Sequence, residues 1–133
     1  MKKFDELLRL IEKLRSKEGC HWDKEQTINS MRENILKEAN EVVEAVDNDD
    51  MDNLREELGD VLWDTTMIIQ IAKEKGLFDM DDVLKKLNEK IVRRHPHVFG
   101  KVKAKDAEEA MKFFQEAKAK EKNNKKEMEK DLG

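Results

Sequence analysis

With 133 residues the chain is long enough for one domain with a modest core, and 44% charged against 38% hydrophobic residues, 5% aromatics, one proline and no tyrosine suit long amphipathic helices rather than strands. A net charge of −4 with both signs interspersed argues against nucleic-acid binding, which uses a basic surface, and Cys20 as the one cysteine excludes an intrachain disulfide. No apolar run is long enough for a bilayer and the Met-Lys-Lys start lacks a signal-peptide core, so the expectation is a cytoplasmic protein with no membrane partner.

Phe4, Leu7, Leu8, Ile11 and Leu14 form a first helical stripe that stops before Gly19. Their spacing, and that of the stripes after it, argues against disorder despite the high charge. Gly19-Cys20-His21-Trp22-Asp23 reads as a loop holding an unusually placed tryptophan. A second helix starts near Thr27 or Ser30, where Ser30 and Glu33 fit a capping box. Its apolar face is Met31, Ile35, Ala39, Val42, Val43 and Val46, and Asp47-Asn48-Asp49-Asp50 reads as the turn that ends it.

The third helix carries Met51, Leu54, Leu58, Val61, Leu62, Thr65, Ile69 and Ala72 on one face, with Gly76 as its C-terminal cap. Its later half, residues 67–72, is apolar nearly all round, which in so short a chain predicts a subunit contact through Met67, Ile68 and Ile71. A fourth helix spans about Asp81 to Arg94, with Val83, Leu84, Leu87 and Ile91 inward, and Pro96 ends it. A loop through Gly100 leads to a fifth, with Ala107, Ala110, Met111, Phe114 and Ala117. The pattern predicts an all-α single domain over 1–118, and a charged tail at 119–133 that frays or is disordered.

On a wheel at about 100° per residue, with Ala39 central on the second helix, Glu38 and Glu41 share one flank. With Leu58 central on the third, Glu57 and Asp60 take the same relative places and Asp64 joins them. Two antiparallel helices joined by a short turn bring such flanks together. Close carboxylates repel and are badly solvated near a core, and a hard divalent ion with oxygen ligands removes that conflict. The competing reading is a solvated acidic surface, since 31 acidic residues produce such pairs by chance. A di-iron site is disfavoured because no histidine stands three residues after Glu38, Glu41 or Glu57.

On the fourth helix Lys90 and Arg94 lie on the apolar side, while Lys86 and Arg93 lie outward. They either snorkel past the core or point into a pocket for phosphates. His95 and His97 read as capping or positioning residues, with ligand or base as the other reading. Trp22 either stacks on a nucleobase or covers the core.

Four blocks resemble the MazG-like pyrophosphohydrolases: Gly19-Cys20-His21-Trp22-Asp23-Lys24-Glu25-Gln26-Thr27, Glu38-Ala39-Asn40-Glu41-Val42, Glu56-Glu57-Leu58-Gly59-Asp60-Val61-Leu62 and residues 90–100 from Lys90 to Gly100. They run in order across roughly residues 5–120. The resemblance implies an all-α NTP pyrophosphatase fold with a four-helix-bundle-like core that oligomerises, as a homodimer or larger. It implies Mg²⁺, with Mn²⁺ able to replace it, on Glu38, Glu41, Glu57 and Asp60, and hydrolysis of a nucleoside triphosphate to monophosphate and pyrophosphate. Lys90 and Arg94 match family positions that contact phosphates, Trp22 is the expected base contact, and Glu41 or Glu56 is the spare carboxylate that would hold the attacking water. Departures are His21 for Pro, Lys37 for the first Glu of the first acidic motif, no His in residues 61–68 and Phe114 for Trp. Rival readings are a related pyrophosphatase acting on phosphoribosyl-ATP or a deoxynucleotide, and a catalytically silent helical dimer acting as a regulatory partner.

Overall fold

The computed structural model describes residues 2–132, with side chains to residue 130. Among the described residues seven helices follow one another: α1 Lys2–Leu14, α2 His21–Glu25, α3 Met31–Asp47, α4 Met51–Glu74, α5 Met80–Arg94, α6 Pro96–Phe99 and α7 Ala107–Leu132. The all-α expectation holds, and among the described residues no helix is long and apolar enough to cross a membrane. The helices gather into two compact units, one ending at Met80 and one beginning at Asp81. In the first, α4 packs against both α3 and α1. In the second, α6 packs against α7. The charged segment expected to fray from about Lys118 continues as the end of α7, and Gly133 lies outside the described residues.

The core of the first unit is Ile11 of α1, Met31 of α3 and Met67 and Ile71 of α4, with Leu7, Leu14, Ile28 and Ile68 packed around it. This corrects one expectation. Met67 and Ile71 are each 1% exposed within the chain itself, so they have no surface left for a neighbouring subunit. The end of α4 is apolar all round because α1 and the start of α3 close over it.

Two segments expected as loops are short helices. Trp22 and Asp23 sit on α2, and residues 96–99 form α6 with Pro96 in its first turn, where a missing N–H costs nothing. Gly19 makes the reversal into α2 possible: a Cβ there would lie 2.1 Å from the Leu14 carbonyl oxygen, and the Cys20 amide donates to that same oxygen at 2.8 Å. Ser30 does not cap with Glu33. Thr27 and Ser30 exchange bonds instead, the Ser30 amide donating to Thr27 Oγ1 at 3.0 Å and the Thr27 amide to Ser30 Oγ at 2.9 Å. The reciprocal cap thus starts three residues earlier than the sequence suggests.

The α3–α4 turn sets the register of the acidic residues. The Asp49 amide bonds the Val46 carbonyl and the Asp50 amide the Ala45 carbonyl, a Schellman closure with Asp49 at φ 51°. Asp50 then caps α4, its side chain accepting from the Asn53 amide at 3.2 Å. Gly76, at φ 71°, closes α4 in the same way, its amide bonding the Lys73 carbonyl and the Leu77 amide that of Ala72.

Candidate metal centre

Glu38 and Glu41 lie one turn apart on α3, as do Glu57 and Asp60 on α4. The tight turn at 48–50 makes the two helices antiparallel neighbours, so their acidic pairs meet. One carboxylate oxygen from each of the four lies within 4.8 Å of the other three. All four side chains are half-buried.

The wheel placed these acids on a flank, and the structure places them inward. Ala39 and Leu58, taken as the centres of the buried faces, are both exposed. The inward positions of α3 are Met31, Asn34, Ile35, Glu38, Glu41, Val42 and Ala45. On α4, Glu57, Asp60, Val61 and Asp64 turn away from solvent. The stripe of Leu36, Val43 and Val46 on α3 and Met51, Leu58 and Leu62 on α4 is left on the surface.

Crowding shows in the electrostatics. Glu57 is pushed up to about 7, first by the side-chain hydrogen bond it shares with Glu41, then by burial and the charges of Glu41, Asp60 and Glu38. Glu38 is raised by burial first, then by its hydrogen bond to Glu41 and the neighbouring carboxylates. Asp64 is raised by burial and then by Asp60. One oxygen each of Glu38, Glu57 and Asp64 is buried with no hydrogen-bond partner. Acceptors hidden from water without a donor need a cation or a proton. The donors are all carboxylate oxygens, which fits a hard ion such as Mg²⁺ and not a thiolate- or imidazole-seeking metal.

Other residues named from the sequence fall elsewhere. Glu56 is exposed and outside the group of four. Asp64 is also outside it, but lines a cleft of about 270 Å³ that includes Glu38 and Asp60. Trp22 lines the same cleft and is 57% exposed. In the second unit Lys90 is exposed, while Arg94 is held by Glu121 of α7, Nη2 donating at 3.0 Å. Arg93 joins through Nε at 2.5 Å, and the two guanidinium groups hold Glu121 down to about 2. Arg94 also lies over the Phe114 ring at 5.6 Å. His95 meets Phe114 edge-on at 5.6 Å and His97 stacks on Phe113 at 5.9 Å.

Three contributors were missed. Arg15, with its side chain 8% exposed, forks onto Glu74 through Nε and Nη2, each at 2.9 Å. Its Nη1 donates to the Asp23 carbonyl and, at 3.1 Å, to that of Gln26, fixing α2 beside the cleft. Asn34 and Trp63 line the cleft too. They stand four residues before Glu38 and three after Asp60, so extending the acidic face by one helical turn would have found them.

The family model "MazG nucleotide pyrophosphohydrolase domain" matches residues 26–99. The chain is 46% identical over 123 residues to the nucleoside triphosphate pyrophosphohydrolase/pyrophosphatase MazG of Thermotoga maritima, covering 92% of this chain and 47% of that one. It is 39% identical over 126 residues to the nucleoside triphosphate pyrophosphohydrolase of Escherichia coli K12, covering 94% and 48%. The chain thus spans about half the length of these relatives. A crystal structure of a mazG-related protein from Thermotoga maritima superposes with a TM-score of 0.72 at 35% identity, covering 86% of this chain and 98% of that one.

Proposed function

The chain belongs to the MazG nucleotide pyrophosphohydrolase family, and from that premise we propose that it hydrolyses a nucleoside triphosphate to the monophosphate and pyrophosphate with Mg²⁺, or Mn²⁺ in its place. The observation that carries this reading is the meeting of Glu38, Glu41, Glu57 and Asp60 within 4.8 Å, with buried oxygens of Glu38 and Glu57 lacking any donor.

Those four residues would hold the ion. When bound, it supplies charge neutralisation at the phosphate oxygens and acidifies water. Glu41 would give the ion one oxygen, and its other oxygen is better placed than the exposed Glu56 to orient the attacking water and take its proton. Lys90 and Arg94 are assigned to the triphosphate, Arg94 exchanging its fork on Glu121 for a phosphate. Trp22 is assigned to the base.

Assembly as a homodimer, in the cytoplasm, completes the reading. Leu36, Val43, Val46, Leu58 and Leu62 are each 48–64% exposed on adjoining helices, and a second copy would cover them. Light scattering is expected to give a dimer at micromolar concentration and a monomer for Leu62→Glu; a wild-type monomer would overturn the assembly.

The activity is tested by chromatography of products from a panel of NTPs and dNTPs. Monophosphate and pyrophosphate, abolished by EDTA, are expected. Diphosphate and inorganic phosphate would overturn the reaction, and no product from any nucleotide would favour a binding protein.

A further inference from the structure

Both tryptophans of the chain, Trp22 and Trp63, line a cleft that includes Glu38 and Asp60. They come from different helices, α2 and α4, and are 57% and 47% exposed. Two indoles left so open beside a phosphate-type metal centre offer flat apolar faces to a planar guest. The cleft, at about 270 Å³, lies just below the usual range for whole ligands (roughly 300–1,000 Å³) and suits one ring system rather than a complete nucleotide.

Its polar lining is four carboxylates, of Asp23, Glu38, Asp60 and Asp64, with Asn34 and Lys37. Asp64 has one carboxylate oxygen buried without a donor. Asn34 and Lys37 add donors from α3. The Asn34 amide nitrogen makes a contact with Met31 Sδ at 3.8 Å, which is weak enough to give up.

A carboxylate accepts two parallel N–H bonds. Guanine presents such a pair, the ring N1–H beside the 2-amino group. Adenine and cytosine set a ring lone pair beside the amine, and uracil and thymine flank the ring N–H with carbonyls. Each of these turns a lone pair toward the carboxylate. Guanine O6 and N7, on its other edge, are acceptors for lysine or an amide.

Building on the pyrophosphohydrolase reading, we propose that this cleft is the base site, that Trp22 and Trp63 stack on the base, and that Asp64 selects guanine nucleotides by accepting N1–H and the 2-amino group.

The test compares kcat/KM for GTP, ITP, XTP and ATP in wild type and Asp64→Asn at saturating Mg²⁺. Wild type is expected to favour GTP over ITP, which lacks the 2-amino group, and over ATP by roughly 10- to 100-fold, the scale of one bidentate base contact. Asp64→Asn exchanges one acceptor for a donor, so it should favour XTP, whose C2 carbonyl accepts that donor, over GTP by a similar factor. Equal values across the four bases in wild type would overturn the proposal. So would an equal loss on all four in Asp64→Asn, which would make Asp64 a support of the metal centre. Quenching of the two tryptophans by α,β-methylene GTP and α,β-methylene ATP reads the same ranking without turnover. Guanine-selective quenching without hydrolysis would uphold the base site and remove the catalytic reading; hydrolysis with quenching indifferent to the base would do the reverse.

Discussion

Arg15 is the residue whose removal tests most of the structural argument. Its guanidinium serves the Glu74 carboxylate and two backbone carbonyls, of Asp23 and Gln26. Arg15→Met keeps the aliphatic stem and deletes the donors. The Glu74 side chain is 37% exposed and regains water, so the ion pair accounts for only about 0.5–1 kcal/mol. The Asp23 carbonyl keeps the Gln26 amide at 3.3 Å, so the Gln26 carbonyl is the one left without a partner; that costs about 1–3 kcal/mol, and its part-burial favours the lower half. The expected loss is roughly 1.5–3 kcal/mol in urea unfolding at unchanged m-value. Glu74→Gln, which spares the carbonyl bonds, should lose only about 0.5–1 kcal/mol. The Arg15 bond holds the Glu74 carboxyl below its ordinary 4.5, so the pair's share is present above that pH and lost as pH falls through the lowered value. The penalty of Arg15→Met should therefore shrink in acid without vanishing. A loss below about 1 kcal/mol at pH 7 would refute the idea that this side chain ties α2 to α4.

Glu57 titrates near 7 in the fold against 4.5 outside it, so the folded state binds the extra proton and metal-free stability should fall as pH rises from about 4.5 to about 7. Melting curves with EDTA should show that slope, Mg²⁺ should flatten it, and Glu57→Gln should flatten it in EDTA while strongly reducing turnover; a slope unchanged by Mg²⁺ would contradict the site. Arg94→Met should lower kcat/KM by about 10- to 150-fold, the worth of one charge-assisted phosphate contact, and Glu121→Gln, which frees Arg94, should lower KM. If steady-state kinetics are unmoved by both, the phosphate role is withdrawn. Asp49 holds a φ of 51° in the α3–α4 turn, so Asp49→Gly should raise stability by about 0.5–1 kcal/mol in the same urea assay, and a loss would mean that its side chain serves the turn.

The short helices α2 and α6 aside, the sequence by itself determined the five longer helices, the turns that close α3 and α4, and the one-turn spacing of the four carboxylates. Those follow from local physics: the 3.6-residue period, the glycine after α4, the proline after α5 and the one-turn spacing of Glu38 with Glu41 and Glu57 with Asp60. Only the tertiary structure decided which side of each helix is inside. Apolar residues of α3 spread over two faces, Met31 with Ile35 and Val42 on one and Leu36 with Val43 and Val46 on the other, and a wheel centred on Ala39 averages them. Once α1 lies on α4, the first face becomes the interior and the acids turn inward with it. The same limit hid Arg15 on Glu74 and Arg94 on Glu121, pairs that are 59 and 27 residues apart. Periodicity reports what a helix can bury, whereas which face it buries depends on the neighbour that arrives, and no local pattern encodes a contact between residues so far apart in the chain.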